Sequence, residues 1–232
     1  MKPEARRTLA VGAGLAALAA ILVAVAWWSL QPRPGAPATA TDAPPPPVPY
    51  VYEWPDGATR GIDVPTHIYI PSIDRRIPIQ FVKDIRSLPG EDRLAFLHRV
   101  RLDLVAYSAR QEVEACAEIC TGDDGLSVRV TSINAVAYCA VAPVCVDGHV
   151  TTQESIHSHC PGRRSLTANL ADEYLSGGIY DAGDTLPRCD TERFSRMDLA
   201  VPRGTWLAAR RRLLHKDVDG VVTAYPGETG AR

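Results

Sequence analysis

Val113-Glu114-Ala115-Cys116-Ala117-Glu118-Ile119-Cys120 is the stretch on which the fold turns. It is β-prone, and Gly122-Asp123-Asp124-Gly125 follows it as a turn. Leu126 to Ile133 comes next, with Leu126, Val128 and Val130 alternating, so strand, turn and strand succeed one another. Upstream, Pro89-Gly90 breaks the chain. From Glu91 to Arg110, Leu94, Leu97, Val100, Arg101 and Leu104 then recur at helical spacing, with charged residues between them. Further back, His67-Ile68-Tyr69-Ile70 and Ile77-Pro78-Ile79 are short β-prone pieces that Pro65, Pro71 and Pro78 confine to edges. Downstream, Ala135 to Val146 is apolar and predicts a hairpin about Pro143, and His149 to His159 predicts a further strand. Leu166, Leu170 and Tyr174 have helical spacing, and Ser195 to Val201 starts a short helix. Trp206 to Leu214 and Gly220 to Ala224 read either as closing strands or as a strand and a tail. Helices mixed with an antiparallel sheet predict an α+β domain over residues 50–232, about 180 residues, enough for a core of its own.

The other end of the chain is of a different kind. Lys2, Arg6 and Arg7 precede an uncharged run from Thr8 to Leu30 that ends beside Trp27 and Trp28. About 20 apolar residues suffice to cross a bilayer as a helix, and tryptophan prefers the interface. The basic flank comes first, so residues 1–30 predict a membrane anchor with a cytoplasmic N-terminus and an exported remainder. The alternative is a cleaved signal peptide, with Ala38-Thr39-Ala40 as its cleavage site. Residues 31–49, with Pro32, Pro34, Pro37 and Pro44 to Pro47, form an extended spacer. A net charge of −2 argues against a nucleic-acid partner. The six cysteines all lie in the exported part, and none forms a CxxC pair. That pattern predicts up to three disulfides rather than a cysteine zinc knuckle.

Ile156-His157-Ser158-His159 is the chemical signal. Residues i and i+2 of a strand share a face, so His157 and His159 can present two imidazoles to one metal ion. Ser195-Arg196-Met197-Asp198 has the pattern of an N-capping box, and the helix start it marks can also hold Ser195 and Asp198 against a metal. Two histidines and one carboxylate leave a fourth position for water, the pattern of a catalytic zinc site. Glu114 supplies a general base, with Glu112 as its substitute one strand step away. His67, His98, His149 and His215 lack partners at ligand spacing. Asp123-Asp124 reads as a solvated turn and Arg210-Arg211-Arg212 as an exposed face.

Glu114, Cys116 and Ile119 straight after a helix, then His157-Ser158-His159, then Ser195-Arg196-Met197-Asp198, stand in an order that resembles the JAB/MPN (JAMM) metallopeptidases. Gly204-Thr205-Trp206-Leu207-Ala208-Ala209 looks like the strand that follows the aspartate in that family, and the resemblance covers roughly Leu94 to Leu214. It implies a mixed, mainly antiparallel sheet flanked by helices. It also implies a zinc-dependent hydrolase that cleaves a peptide or isopeptide bond in the cell envelope or periplasm. Zn²⁺ would be held by His157, His159 and Asp198, with Glu114 as the proton carrier and Ser195 as a donor to the oxyanion. His159 and Ser195 are farther apart than in that family, so residues 160–193 read as an insertion that loops out. Asn169-Leu170-Ala171-Asp172 then offers Asp172 as a second candidate for third ligand. A disulfide between Cys160 and Cys189 would staple the insertion, or else Cys160 is itself a ligand. Two other functions stand beside the enzyme: a metal-free interaction module of the same family, and an envelope binding module whose histidines are structural.

Overall fold

The computed structural model describes residues 48–159, 165–186 and 192–227. The proline-punctuated residues near the start form a three-stranded antiparallel sheet of β1 (Val51–Glu53), β2 (His67–Ile70) and β3 (Arg75–Pro78), in the order β1-β2-β3. Next come β4 (Gln80–Arg86) and the long helix α1 (Arg93–Gln111). Asp92 caps α1 by accepting the N–H groups of Leu94 and Ala95, and Glu112 closes it in the left-handed region at φ 59°. One face of α1 buries Phe96, Leu97, Val100, Leu104 and Tyr107, which is the expected helical spacing.

That face packs on a seven-stranded sheet. Its other strands are β5 (Cys116–Gly122), β6 (Gly125–Ser132), β7 (Val150–Ser158), β10 (Thr205–Ala208), β11 (Arg212–Lys216) and β12 (Val222–Pro226). The order across the sheet is β12-β11-β10-β7-β5-β6-β4. Only the β7–β10 pair is parallel. The β5–β6 hairpin closes on Asp123-Asp124 with Gly122 opposite Gly125. Gly125 sits at φ +120°, and a Cβ there would collide with the Ser87 hydroxyl, so the turn needs glycine.

Residues 135–149 form no strand, contrary to the hairpin expected about Pro143. Two disulfides are the reason. Cys116–Cys139 and Cys120–Cys145 tie this segment across the face of β5, where it lies over the sheet and not in it. Closing loops of 23 and 25 residues restricts the unfolded chain by about 3–4 kcal/mol for one such bridge in the entropy model. Ile133, Ala135 and Ala140 of this region join Ile68, Ile70 and Ile77 of the small sheet in a second apolar cluster.

The insertion does not simply loop out. Its described part holds β8 (Leu166–Thr167), α2 (Leu170–Ser176) and β9 (Thr185–Leu186), with β8 and β9 paired. Leu166, Ala168 and Leu186 enter the main core, and Ala171 and Leu175 enter the second cluster. The last helix is α3 (Arg196–Ala200).

The expected α+β, JAB/MPN-like class is therefore corrected. Among the described residues twelve strands stand against three helices, and only α1 exceeds two turns, so the chain is mainly β. The three expected helices all form, but two of them are short: Leu166 starts a strand before Asn169 caps α2, and α3 stops after five residues because Pro202 follows. The anchor expected at residues 1–30, nearly all of the spacer, and both Cys160 and Cys189 lie outside the described residues. Among the described residues no helix is long and apolar enough to cross a membrane.

Candidate metal centre

β7 aims the histidines. Ser158 turns toward α1, where its Oγ lies 2.6 Å from Ser108 Oγ. Strand alternation then sends His157 and His159 to the opposite face, and their ring centroids stand 5.2 Å apart. His157 is in register with Cys116 on one side and Leu207 on the other. It is buried and flanked by Phe194 at 6.2 Å.

Asp198 comes from α3, a five-residue helix that buries none of its own residues. Such a helix needs outside support. A reciprocal capping box closes its start: Asp198 N donates to Ser195 Oγ at 3.1 Å, and Ser195 N donates to Asp198 Oδ2 at 2.7 Å. The buried Lys216 of β11 donates its Nζ to Val201 O at the other end, at 2.5 Å. Upstream, Phe194 packs on Leu207, Ala209 and Leu214, and Arg212 donates to Glu192 O at 3.2 Å. Asp198 is thus positioned by contacts on both sides of its helix.

His157 Nε2 lies 3.2 Å from Asp198 Oδ1, and His159 Nε2 lies 3.1 Å from Asp198 Oδ2. One donor atom from each of the three side chains falls within 4.8 Å of the others, so His157, His159 and Asp198 could hold a metal ion. Two details fit that use. His157 Nε2 is buried and makes no hydrogen bond, because it faces the carboxylate oxygen at ion-pair distance without hydrogen-bond alignment. Two ligands each 2.0–2.1 Å from one tetrahedral ion also stand about 3.3 Å from each other, close to both separations. Burial alone would raise the Asp198 carboxyl. The charge of His157 and the adjoining His159 outweigh it and hold that carboxyl well below the usual range, in the ionised form a ligand needs.

Glu114 sits just ahead of β5, and its backbone is pinned on all sides. Its N–H donates to Ala135 O at 2.9 Å, and its carbonyl accepts Ser132 Oγ at 2.6 Å. The next N–H, of Ala115, donates to Ser158 Oγ at 3.1 Å. Burial pushes the Glu114 carboxyl up to about 8, against a lowering by His159 and a further rise from Asp198 and Asp172. Glu112, its proposed substitute, is exposed at the end of α1.

Asp172 is not part of the centre. It is fully buried, and its carboxylate accepts the N–H groups of Val136 at 2.9 Å, Ala137 at 2.8 Å and Asn169 at 2.9 Å. It fastens α2 to the disulfide-bound segment. Ser195 is exposed, and its Oγ is occupied as the cap of α3 but keeps its own proton to donate. His149 does have partners, Asp124 Oδ1 at 2.6 Å and Ser127 Oγ at 3.0 Å, which lock the loop onto the β5–β6 hairpin. His215 stacks on Trp206 at 4.2 Å. Lys216, Arg212 and Phe194 carry no signal in sequence that marks them as supports of Asp198. Ser158 does, since a residue between two same-face histidines must point to the other face.

Searches against family models, curated proteins and solved structures find no match for the chain.

Proposed function

We propose that the chain is a zinc-dependent hydrolase of peptide or isopeptide bonds, with a site like that of the JAB/MPN metallopeptidases, anchored by residues 1–30 and acting in the cell envelope. The observation that carries this is the buried, unbonded His157 Nε2 converging with His159 and Asp198 beside a buried glutamate. Imidazole and carboxylate donors with one position left over suit zinc. When bound, zinc would acidify water and polarise the scissile carbonyl. His157, His159 and Asp198 orient that chemistry. Glu114 takes the proton from the attacking water and passes it to the leaving amine, and the burial that raises its proton affinity suits both transfers. Ser195 turns its free hydroxyl proton toward the carbonyl oxygen. Two disulfides favour an oxidising compartment, which supports export of the domain.

Elemental analysis of the purified full chain tests the reading. About one zinc per chain is expected, falling to near zero in His157→Ala. Glu114→Gln should keep the metal and lose amide hydrolysis. Folded wild-type protein without metal overturns the proposal and leaves a non-catalytic interaction module.

A further inference from the structure

The turn between β10 and β11, Ala209-Arg210-Arg211, takes no part in the metal centre but stands beside it. β10 runs parallel to β7 with Ala208 opposite Ser158. The pairing ends there, Ala209 N turns back to donate to Leu207 O at 3.0 Å, and Arg210 and Arg211 follow at the sheet end where β7 runs into His159. Their backbone is fixed from three directions. The buried Arg101 of α1 donates Nη1 to Ala209 O at 3.2 Å and to Arg210 O at 2.8 Å. Gly227 N donates to Arg211 O at 3.0 Å, so closely that a Cβ on Gly227 would lie 2.6 Å from that oxygen. Arg212 reaches across to Glu192, just upstream of α3.

The side chains of Arg210 and Arg211 are left in solvent. Neither has a carboxylate partner among the described residues, although acids outnumber bases in the chain. Arg101 beneath them is bonded only to carbonyls, and its Nε is buried without any acceptor. Two solvent-facing guanidinium groups without a carboxylate partner, on a turn held at the sheet end where β7 runs into His159, make a local positive field there. Guanidinium is the side chain best shaped to grip a carboxylate. An extended peptide rises about 3.3 Å per residue, so a turn at the same sheet end is met by a residue a few places along from the scissile amide.

We propose that Arg210 and Arg211 bind a carboxylate of the substrate a few residues from the amide that is cleaved, an inference that rests on the amide-hydrolase reading. The carboxylate could belong to an acidic side chain or to a free C-terminus, and the two are separable. The full chain, loaded with zinc, is titrated at low salt against three fluorescent hexapeptides, with binding read by anisotropy. One carries two glutamates and an amidated end, the second replaces both by glutamine, and the third is the glutamine peptide with a free C-terminus. A carboxylate-bearing peptide should bind about tenfold tighter than the neutral one, with the gap closing as salt is added. Preference for the glutamate peptide assigns the side chain, and preference for the free end assigns the terminus. R210A/R211A should erase the preference while zinc content and melting temperature hold. Equal affinity for all three peptides, or a preference that survives the double variant, overturns the inference. Zinc is measured in the same samples. A zinc-loaded chain indifferent to charge sinks this inference alone, and a zinc-free chain that still discriminates sinks the hydrolase reading alone.

Discussion

Asp172 and Asp198 each close a capping box on a short helix, and their surroundings give them opposite uses. Asp172 commits its carboxylate to three backbone N–H groups, that of Val136 buried. Asp198 accepts one N–H and turns the rest of its carboxylate to two imidazoles. Asp172→Asn should therefore cost stability, about 2–4 kcal/mol by denaturant unfolding, with zinc per folded chain unchanged. Asp198→Asn should do the reverse and abolish zinc binding with little loss of stability. Loss of zinc in the Asp172 variant alone would put the third ligand in the wrong place. Glu114 gives a pH-dependent signature. Its ordinary value of 4.5 rises to about 8 on folding. Between those values the folded chain keeps a proton that the unfolded chain has released, so metal-free protein should lose stability as pH rises through that window. Asp198, held low, acts oppositely and contributes stability that is lost toward acid. Melting curves of metal-free wild type and Glu114→Gln, compared from pH 4.5 to pH 8, isolate the first effect. The wild type should fall relative to the variant, and parallel curves would show that Glu114 is solvated.

Strands and helices act on the site through a few cross-links between elements. Ser158 joins β7 to α1 and to the start of β5, and it alone satisfies the buried Ala115 N–H among the described contacts. Ser158→Ala should orphan that donor at a cost of about 1–3 kcal/mol and loosen Glu114. Hydrolysis should drop through kcat while zinc content holds, and an unchanged kcat would remove Ser158 from the support of Glu114. Legibility in sequence followed the range of the forces involved. α1 was readable because its cap at Asp92 and its apolar stripe are local. The paired histidines and the Ser195–Asp198 box were readable because they depend on a two-residue period and a four-residue motif. Residues 135–149 were not readable, because cysteine count does not give connectivity. Cys116 and Cys120 took partners that turned an apolar stretch from a strand into a cover. Lys216 and Arg212 were hidden because they act on α3 from strands distant in sequence.

The fold as a whole came out mainly β although each of the three expected helices formed, because two of those helices are only five and seven residues long while twelve strands build the sheets among the described residues. The resulting sheet brings the ends of the parallel central strands β7 and β10 to one end of the sheet, where His159 and the arginine turn follow them. The proposed function at that end depends on where the molecule stands. Thr8 to Leu30 has no charged residue, Lys2, Arg6 and Arg7 lie before it, and Trp27 and Trp28 mark its far side. Such a run is long enough to cross a bilayer, and positive flanks favour the cytoplasmic side. Disulfides form and persist in oxidising compartments. We propose that a single crossing with the C-terminus exported meets both constraints. An exported-only reporter fused after Arg232 should therefore be active, and full-length protein should stay with membranes through alkaline extraction. Non-reducing peptide maps of that membrane fraction should link Cys116 to Cys139 and Cys120 to Cys145. A shorter, soluble product beginning near Ala40 would show instead that the run is a signal peptide removed after export. A silent reporter with free thiols at those four cysteines would reverse the topology, and with it the compartment in which the metal centre acts.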